Sequence, residues 1–236
     1  MRRAIASLAR PAGDFDSRRY FRGGDALRFF NVGTPKVRAL ARRIVAEHRD
    51  WTVDDGLVFA ATLMPDPVLE VKGLAVEVMA RYRAAFRPEF LAVWKGWLAA
   101  DHAANWATTD AICGSLIGPL LVMHPELAPQ MRAWSRHPNL WVRRASAVAL
   151  LPSIRRGLTL DLAYDIAERL HPDPADLIHK AVGWMLRDAG RIDAVRLERY
   201  LRDHGPAIPR TTVRYAIERF PPVARRALLS ATRPAL

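Results

Sequence analysis

Signals for the start of an α-helix recur along this 236-residue sequence, whereas no run of alternating polar and apolar residues is long enough for a strand. Thr34-Pro35 combines a capping residue with a first-turn proline, and we expect the helix that follows to reach about Glu47. A second helix is predicted from the capping-box sequence at Thr52, and a third from Asp66-Pro67 towards Tyr82. Further starts are predicted at Pro88, Asn105, Pro125, Asn139, Thr159, Pro174, Asp193, Pro209 and Pro222. The sequence therefore predicts an all-α protein of roughly a dozen helices joined by short turns.

The helices are predicted to form two-helix repeats. Alternate helices each carry one unusual polar or aromatic residue, and successive members of this set are roughly 30 to 40 residues apart. The set consists of Arg38, Lys72, Asp110, Arg144, Trp184 and Arg214. This spacing is close to that of HEAT-like repeats, whose stacked helix pairs curve and place corresponding helices on one concave face. We therefore expect one domain over residues 1–236, an α-α superhelix of HEAT-like repeats with a concave basic groove. A non-repeat helical bundle is the alternative.

Positive charge is the second strong feature of the sequence. The chain has 36 lysine and arginine residues against 24 aspartate and glutamate residues, which gives a net charge of +12. Nearly all of the cations are arginines, which bind phosphate with two parallel hydrogen bonds. This balance favours a polyanionic partner over the alternative, an arginine-rich composition whose charges are simply solvated. We expect no membrane partner, because no apolar run approaches the roughly 18–20 residues of a membrane span.

The cysteine and histidine content limits which disulfides and metal sites the chain can form. Cys113 is the only cysteine, so no internal disulfide can form, which fits a reducing compartment. Residues 1–11 are basic but lack the apolar stretch of a secretory signal. The seven histidines are dispersed and show no metal-ligand spacing. We therefore expect a cytoplasmic protein without a metal site.

Asp110 is the most unusual residue of the predicted helices. Asn105 is predicted to cap a helix in which one face is apolar except for Asp110. At 3.6 residues per turn, that face consists of Trp106, Asp110, Cys113, Ile117 and Leu120. Asp110 lies too far into the helix to act as its N-cap. A carboxylate in such a position needs a partner, a shifted pKa or a function.

Trp184 lies off the apolar face of its predicted helix. That face consists of Ile178, Ala181, Val182 and Met185. Trp184 is one turn from Lys180 and three residues from Arg187, so its indole lies at the edge of a basic face. Such an indole can stack on a base. The alternative is a boundary tryptophan that covers the next repeat.

Arg144 is predicted on a mainly apolar helix face with Trp141, Val148 and Leu151. An arginine in this position either pairs with a carboxylate inside the protein or reaches a phosphate of a ligand. The sequence leaves both alternatives open.

Three segments together resemble the bacterial AlkD-type DNA alkylation-repair proteins. They are Asn105-Trp106 followed by Asp110, then residues 139–145 (NLWVRRA), then residues 179–188 (HKAVGWMLRD). Residues 30–35 (FNVGTP) and 209–218 (PRTTVRYAIE) fit the flanking segments of that family. The ordered set spans most of the chain, and the run KAVGWMLR is its most specific part.

The resemblance implies a HEAT-like superhelix that holds duplex DNA in its concave groove. It further implies a monomeric DNA glycosylase that releases positively charged N3- and N7-alkylated purines from double-stranded DNA, without a metal or redox cofactor and without base flipping. By the same likeness, Asp110, Trp106 and Trp184 occupy the catalytic positions. The residues expected to bind DNA are Arg144, Arg143, Lys180, Arg187, Arg214, Lys72 and Arg38.

Two other functions stay open. One is a non-catalytic HEAT-like module that binds nucleic acid through its arginines and lysines, and whose binding weakens with added salt. The other is a protein–protein scaffold, in which the basic lining of the groove is incidental.

Overall fold

Helices form the regular structure of residues 1–11 and 27–233, the part of the chain that the computed structural model describes. Within these residues no strand is formed, and one isolated parallel bridge joins Arg28 to Val68. The predicted all-α fold class is therefore confirmed. The chain divides into two compact units, Met1–Leu120 and Leu121–Leu236.

The helices of the first unit pack around a central helix. They are α1 (Arg2–Ala6), α2 (Thr34–Glu47), α3 (Val53–Leu63), α4 (Leu69–Met79), α5 (Phe90–Ala99) and α6 (Trp106–Ile112), with a 3-10 helix at Ala80–Ala85 and a π-helical turn at Cys113–Ile117. The central α4 contacts α2, α3 and α6. Its buried Val71, Leu74 and Val78 share a core with Val37 and Leu40 of α2. Helices α2, α4 and α6 are thus neighbours, as two-helix repeats require.

The second unit repeats this arrangement. α7 (Gly118–Met123) contains the boundary between the units. It is followed by a 3-10 helix at Pro125–Gln130, α8 (Met131–Trp134), α9 (Leu140–Val148), α10 (Leu151–Ile154), α11 (Leu160–Leu170), α12 (Asp176–Ile192), α13 (Ala194–His204), a 3-10 helix at Gly205–Ala207, α14 (Arg210–Ala216) and α15 (Pro222–Ala231). The long α12 contacts α9, α11, α13 and α14. Three residues of the set that marks alternate helices lie in this unit, namely Arg144, Trp184 and Arg214. Their helices α9, α12 and α14 are therefore consecutive neighbours.

Side-chain caps hold several helix starts where the sequence predicts them. The Thr52 hydroxyl accepts a hydrogen bond from the Asp55 amide, and the Asp55 carboxylate accepts one from the Thr52 amide at 2.8 Å, which completes the capping box. Asn105 caps α6, Asn139 caps α9 and Asp193 caps α13, each through its side-chain oxygen. These four predictions are confirmed.

Several predicted boundaries differ from the structure by a few residues, and two of the helix starts show why. Thr34 is the first residue of α2 rather than its cap, since Gly33 takes the extended capping position. The helix predicted from Asp66-Pro67 begins only at Leu69, because the backbone on either side of Val68 bonds to Arg28. A contact distant in sequence therefore overrides the local start signal.

One apolar stretch qualifies the expectation about membrane spans. Helical residues Trp106–Met123 are long and apolar enough, by length and composition, to cross a membrane, with a mean hydropathy of 1.3 over 18 residues. Half of this stretch is buried inside the protein. Core helices of globular proteins have the same composition, so the stretch is weak support for a membrane role.

Candidate functional site

The start of α6 is fixed by buried polar groups. The Asn105 side chain accepts a 2.8 Å hydrogen bond from the Thr108 amide, and its own amide group donates to the Thr108 hydroxyl at 2.9 Å. One residue further, the Thr109 hydroxyl donates to the carbonyl oxygen of Ala103 at 2.8 Å. All four residues are buried. Because buried polar groups must be satisfied, this network holds the first turn of α6 in one geometry.

Trp106 and Asp110 lie one turn apart on this rigid start. Both are half-buried, whereas Cys113, Ile117 and Leu120 of the same predicted face are fully buried. The face therefore has the predicted apolar interior, and the indole and the carboxylate lie at its more accessible end. This arrangement gives a carboxylate beside an aromatic ring in a partly desolvated setting, where charge–charge attraction is stronger than in water.

A π-helical turn begins three residues after Asp110. It spans Cys113–Ile117, and the Gly118 amide donates to the carbonyl of Cys113, five residues back. Single π-turns inside α-helices occur frequently at functional sites. Helical periodicity did not predict this feature. Gly114 and Gly118, which are weak helix formers, are the sequence signal that points to it.

Lys72 supports the same region from α4. Its side chain is 6% exposed, and its Nζ atom donates hydrogen bonds of 2.6 Å to the carbonyl oxygens of Met64 and His102. Burial lowers the pKa of Lys72 from its usual value. The ammonium group thus has an internal role between α3 and the turn before α6, which differs from the predicted contact with DNA.

Arg38 lies on α2 and is exposed. Its Nε atom lies 2.8 Å from the Glu77 carboxylate, and this hydrogen bond raises the pKa of the Arg38 guanidinium. An exposed pair of this kind contributes little to stability. Its exposure keeps the guanidinium accessible, and the prediction that Arg38 binds DNA stays a prediction.

Arg143 and Arg144 of α9 bind the segment just before α12 and its first turn. Arg143 forms a 2.6 Å ion pair with Asp173, whose side chain is 6% exposed, and also donates to the carbonyl oxygen of Pro138. Arg144 is buried, and its Nη1 atom donates a 2.5 Å hydrogen bond to the carbonyl oxygen of Leu177. Two adjacent guanidinium groups therefore fix the segment that leads into the helix of Trp184.

α12 carries the second aromatic candidate as predicted. Ile178, Ala181, Val182 and Met185 are buried, whereas Trp184 is only half-buried. Its neighbour Lys180 pairs with Asp176 at 2.7 Å, and Arg187 pairs with Glu218 of α14. Trp184 thus lies on a helix surface with two paired cations, and the sequence prediction of its position off the core is confirmed.

Close backbone contact joins α12 to α14. The Thr212 hydroxyl donates to the carbonyl oxygen of His179 at 3.0 Å, and a methyl group placed on Gly183 would lie 2.4 Å from Cβ of Tyr215. Only glycine fits this position. The contact places the exposed Arg214 and the 37% exposed Tyr215 next to the α12 surface. Tyr215 is an accessible aromatic residue that the sequence analysis did not select.

Each unit contains some of the residues that the sequence predicts to be functional. In the first unit Trp106 and Asp110 share α6, and Lys72 braces the turn before that helix. In the second unit Arg143 and Arg144 brace α12, which carries Lys180, Trp184 and Arg187, and α14 adds Arg214. The roles of these residues in catalysis and DNA binding stay predictions.

Comparisons with known proteins agree with the resemblance. The family model described as "DNA alkylation repair enzyme" matches residues 1–220. No curated protein that was compared matches the sequence. Among solved structures, a "predicted DNA alkylation repair enzyme" from Enterococcus faecalis is similar, with a TM-score of 0.74 over 84% of this chain and 90% of that one. Its sequence is 17% identical, so this likeness shows a shared fold. Since the family model covers nearly the whole sequence, the chain belongs to the DNA alkylation repair enzyme family.

Proposed function

We propose that this protein is a DNA glycosylase that hydrolyses the N-glycosidic bond of cationic N3- or N7-alkylated purines in duplex DNA, without base flipping, and so begins base excision repair. The observation that carries the proposal is the half-buried Asp110, placed one turn after Trp106 on a helix whose start is fixed by buried hydrogen bonds. Family membership supplies DNA alkylation repair as the setting.

Release of a cationic alkylated base requires a fixed carboxylate, which this helix supplies as Asp110. Alkylation at N3 or N7 leaves the purine positively charged, which makes the base a good leaving group. Breaking the bond creates oxocarbenium character on the deoxyribose, and a fixed carboxylate stabilises that developing cation. In the proposal Asp110 has this role and also orients the attacking water. Because the lesion already carries the charge of a protonated base, no general acid is required.

Trp106 and Trp184 have the second role in the proposal. The face of an indole attracts a cation by roughly 0.5–2 kcal/mol, and an alkylated nucleotide is a cation. Both indoles are half-buried, which leaves part of each ring accessible. Arg143 and Arg144 fix the start of the helix that carries Trp184, so their contribution to DNA binding includes holding that ring in place.

Base release tests the proposal. Alkylated duplex DNA is incubated with wild type, with Asp110→Asn and with Asp50→Asn, an exposed carboxylate in the turn between α2 and α3 that serves as the control. Free 7-methylguanine and 3-methyladenine are then quantified. We expect release by wild type and by the control, and a loss of about 100-fold or more for Asp110→Asn. Release by wild type at the background rate would refute the glycosylase. Full activity of Asp110→Asn would refute only the role of that residue.

A non-catalytic DNA-binding module is the second candidate, and the net charge of +12 favours it. Such a module binds duplex DNA in a salt-dependent way and frees no base. The same assay, run beside a duplex-binding measurement, separates the two functions.

A further inference from the structure

The end of the described chain concentrates positive charge. Residues 205–233 contain six arginines and one carboxylate, Glu218. The arginines are Arg210, Arg214, Arg219, Arg225, Arg226 and Arg233. Glu218 is already engaged in the ion pair with Arg187 of α12. This region therefore has a large local excess of positive charge beyond the helices that carry Trp106, Asp110 and Trp184.

Three of these arginines are held together by the packing of α14 against the end of α15. Arg210 donates a 3.0 Å hydrogen bond from Nη1 to the hydroxyl of Thr232, which is 1% exposed. Thr232 itself packs on Gly205, where an added methyl group would lie 3.0 Å from the Thr232 Cα atom. The next residue is Arg233, so buried contacts fix it near Arg210. Arg214 follows Arg210 by one turn on α14.

These neighbours repel one another. Like charges four residues apart on a helix destabilise it. Burial, followed by the positive charges of Arg233 and Arg214, lowers the pKa of Arg210. Among residues 1–11 and 27–233, no carboxylate lies within ion-pair distance of these three guanidinium groups. In the part of the chain that the structure describes, these three cations therefore lie close together without a carboxylate to offset them.

We propose that Arg210, Arg214 and Arg233, the C-terminal arginine cluster, form a phosphate-binding surface for the backbone of duplex DNA. A guanidinium group binds phosphate through parallel hydrogen bonds, and an anion bound here would relieve the repulsion within the cluster. Arg214 alone belongs to the set predicted from the sequence. The inference takes DNA as the polyanion from the proposed function but does not require base release.

The surroundings of the cluster fit a nucleic acid better than a membrane. An interfacial helix needs aromatic or large apolar residues opposite its basic face. α15 contains no aromatic residue, and its one large exposed apolar side chain is Val223. Arg219, Arg225 and Arg226 are exposed as well and add to the positive charge of this part of the chain. α15 thus offers exposed cations without the apolar face that an interfacial helix needs, and exposed cations suit the phosphates of a duplex.

Salt dependence of duplex binding tests the cluster. The affinity for an unmodified duplex is measured between about 50 and 200 mM salt for wild type and for the triple variant Arg210→Gln, Arg214→Gln, Arg233→Gln. The slope of log affinity against log salt falls by about 0.9 for each phosphate contact removed. We expect a slope smaller by about 2 to 3 and an affinity at least about tenfold lower near 100 mM salt.

A charge-matched control separates a local site from net charge. Arg136→Gln, Arg156→Gln and Arg199→Gln together remove three positive charges from exposed positions of the same unit. We expect this control to keep nearly the wild-type slope. Equal slopes for the two triple variants would overturn the proposal. The single variant Arg214→Gln, at an exposed position, guards against misfolding of the triple variant, and we expect its slope to fall by about 0.9.

Two further measurements show whether the ligand is DNA or a membrane, and separate the arginine cluster from the proposed glycosylase activity. Vesicles of phosphatidylcholine with phosphatidylserine replace DNA in the same measurement. If the triple variant loses vesicle binding but keeps the wild-type salt slope for duplex DNA, the cluster is not a DNA site and a membrane is favoured. If wild type frees no base while the triple variant loses duplex affinity, DNA binding by the cluster is supported and the proposed glycosylase activity is refuted. If wild type frees base and the slope is unchanged, only the cluster fails.

Discussion

The ammonium group of Lys72 donates a 2.6 Å hydrogen bond to the carbonyl oxygen of His102, in the turn that leads into α6. Its second bond, to the carbonyl oxygen of Met64, ties the same group to the end of α3. Asp101 in this turn has a φ of 58°, a left-handed conformation that side chains rarely adopt. Lys72 therefore stabilises a strained turn four residues before Trp106, and we regard it as a positioning residue for the candidate catalytic helix.

Replacement of Lys72 by methionine separates this role from DNA binding. Lys72→Met keeps the length of the side chain but leaves two carbonyl oxygens without their donor. We expect the free energy of unfolding in urea to fall by about 1–3 kcal/mol. The single-turnover rate of base release should fall with it, whereas the salt dependence of duplex affinity should stay at the wild-type slope.

The control for this variant is Lys36→Met, on the exposed surface of α2. It removes the same charge without a buried contact, so we expect unchanged stability. If Lys72→Met instead lowered the salt slope by about 0.9 at unchanged stability, the lysine would contact a phosphate, as predicted from the sequence.

The contact between α12 and α14 makes Gly183 sensitive to a single methyl group. An alanine Cβ there would lie 2.4 Å from Cβ of Tyr215 and 2.8 Å from the carbonyl oxygen of Thr212. We expect Gly183→Ala to destabilise the protein by about 2–3 kcal/mol, since backbone must move to admit the methyl group. Gly96→Ala in α5 is the matched control, because its Cβ would meet no atom within 4 Å. Urea unfolding should show a gain of about 0.5–1 kcal/mol for the control. Equal effects of the two substitutions would contradict the close contact.

Acid should destabilise the protein through His171. The buried imidazole of His171 lies 2.6 Å from the Tyr200 hydroxyl. Burial, followed by the nearby His204 and His179, lowers its pKa from 6.5 to about 4. As the pH falls from about 6.5 to about 4, the unfolded chain therefore binds a proton that the folded protein excludes. Stability is lost across this window, by up to roughly 3 kcal/mol.

His171→Gln removes this titration and retains a polar group near Tyr200. Unfolding free energies measured at several pH values between about 7 and 4 should fall less steeply for the variant than for wild type. All other titratable groups are common to the two proteins, so the difference between their curves isolates His171. His124→Gln, which removes a histidine paired with Glu126, should follow wild type. Parallel curves for wild type and His171→Gln would contradict a neutral buried imidazole.

Local signals in the sequence predicted the helices and the faces they bury. Asn105, Asn139 and Asp193 cap helices because short polar side chains satisfy free backbone amides within three residues. The buried stripe of α12 follows from its helical period, which also places Trp184 off the core. Both kinds of inference depend on neighbours close in sequence.

Partners distant in sequence could not be predicted in the same way. Arg144 bonds to the carbonyl oxygen of Leu177, 33 residues later, and Arg143 pairs with Asp173, 30 residues later. Periodicity showed that Arg144 lies on an apolar face, but the choice between phosphate and internal partner depends on how helices pack. The buried bonds of Lys72 were missed for the same reason.

The π-helical turn at Cys113–Ile117 accommodates an additional residue within one turn of helix. One residue corresponds to about 100° of rotation about a helix axis. The direction in which Asp110 points, relative to the buried Leu116, Ile117 and Leu120, therefore depends on the length of this short segment as well as on the identity of its residues. Deleting one residue between Cys113 and Ile117 would rotate the Asp110 carboxylate by about 100° relative to the buried residues that follow, without changing a side chain of α6. An insertion or deletion in this segment would therefore redirect the carboxylate, an effect that point substitutions within α6 do not produce.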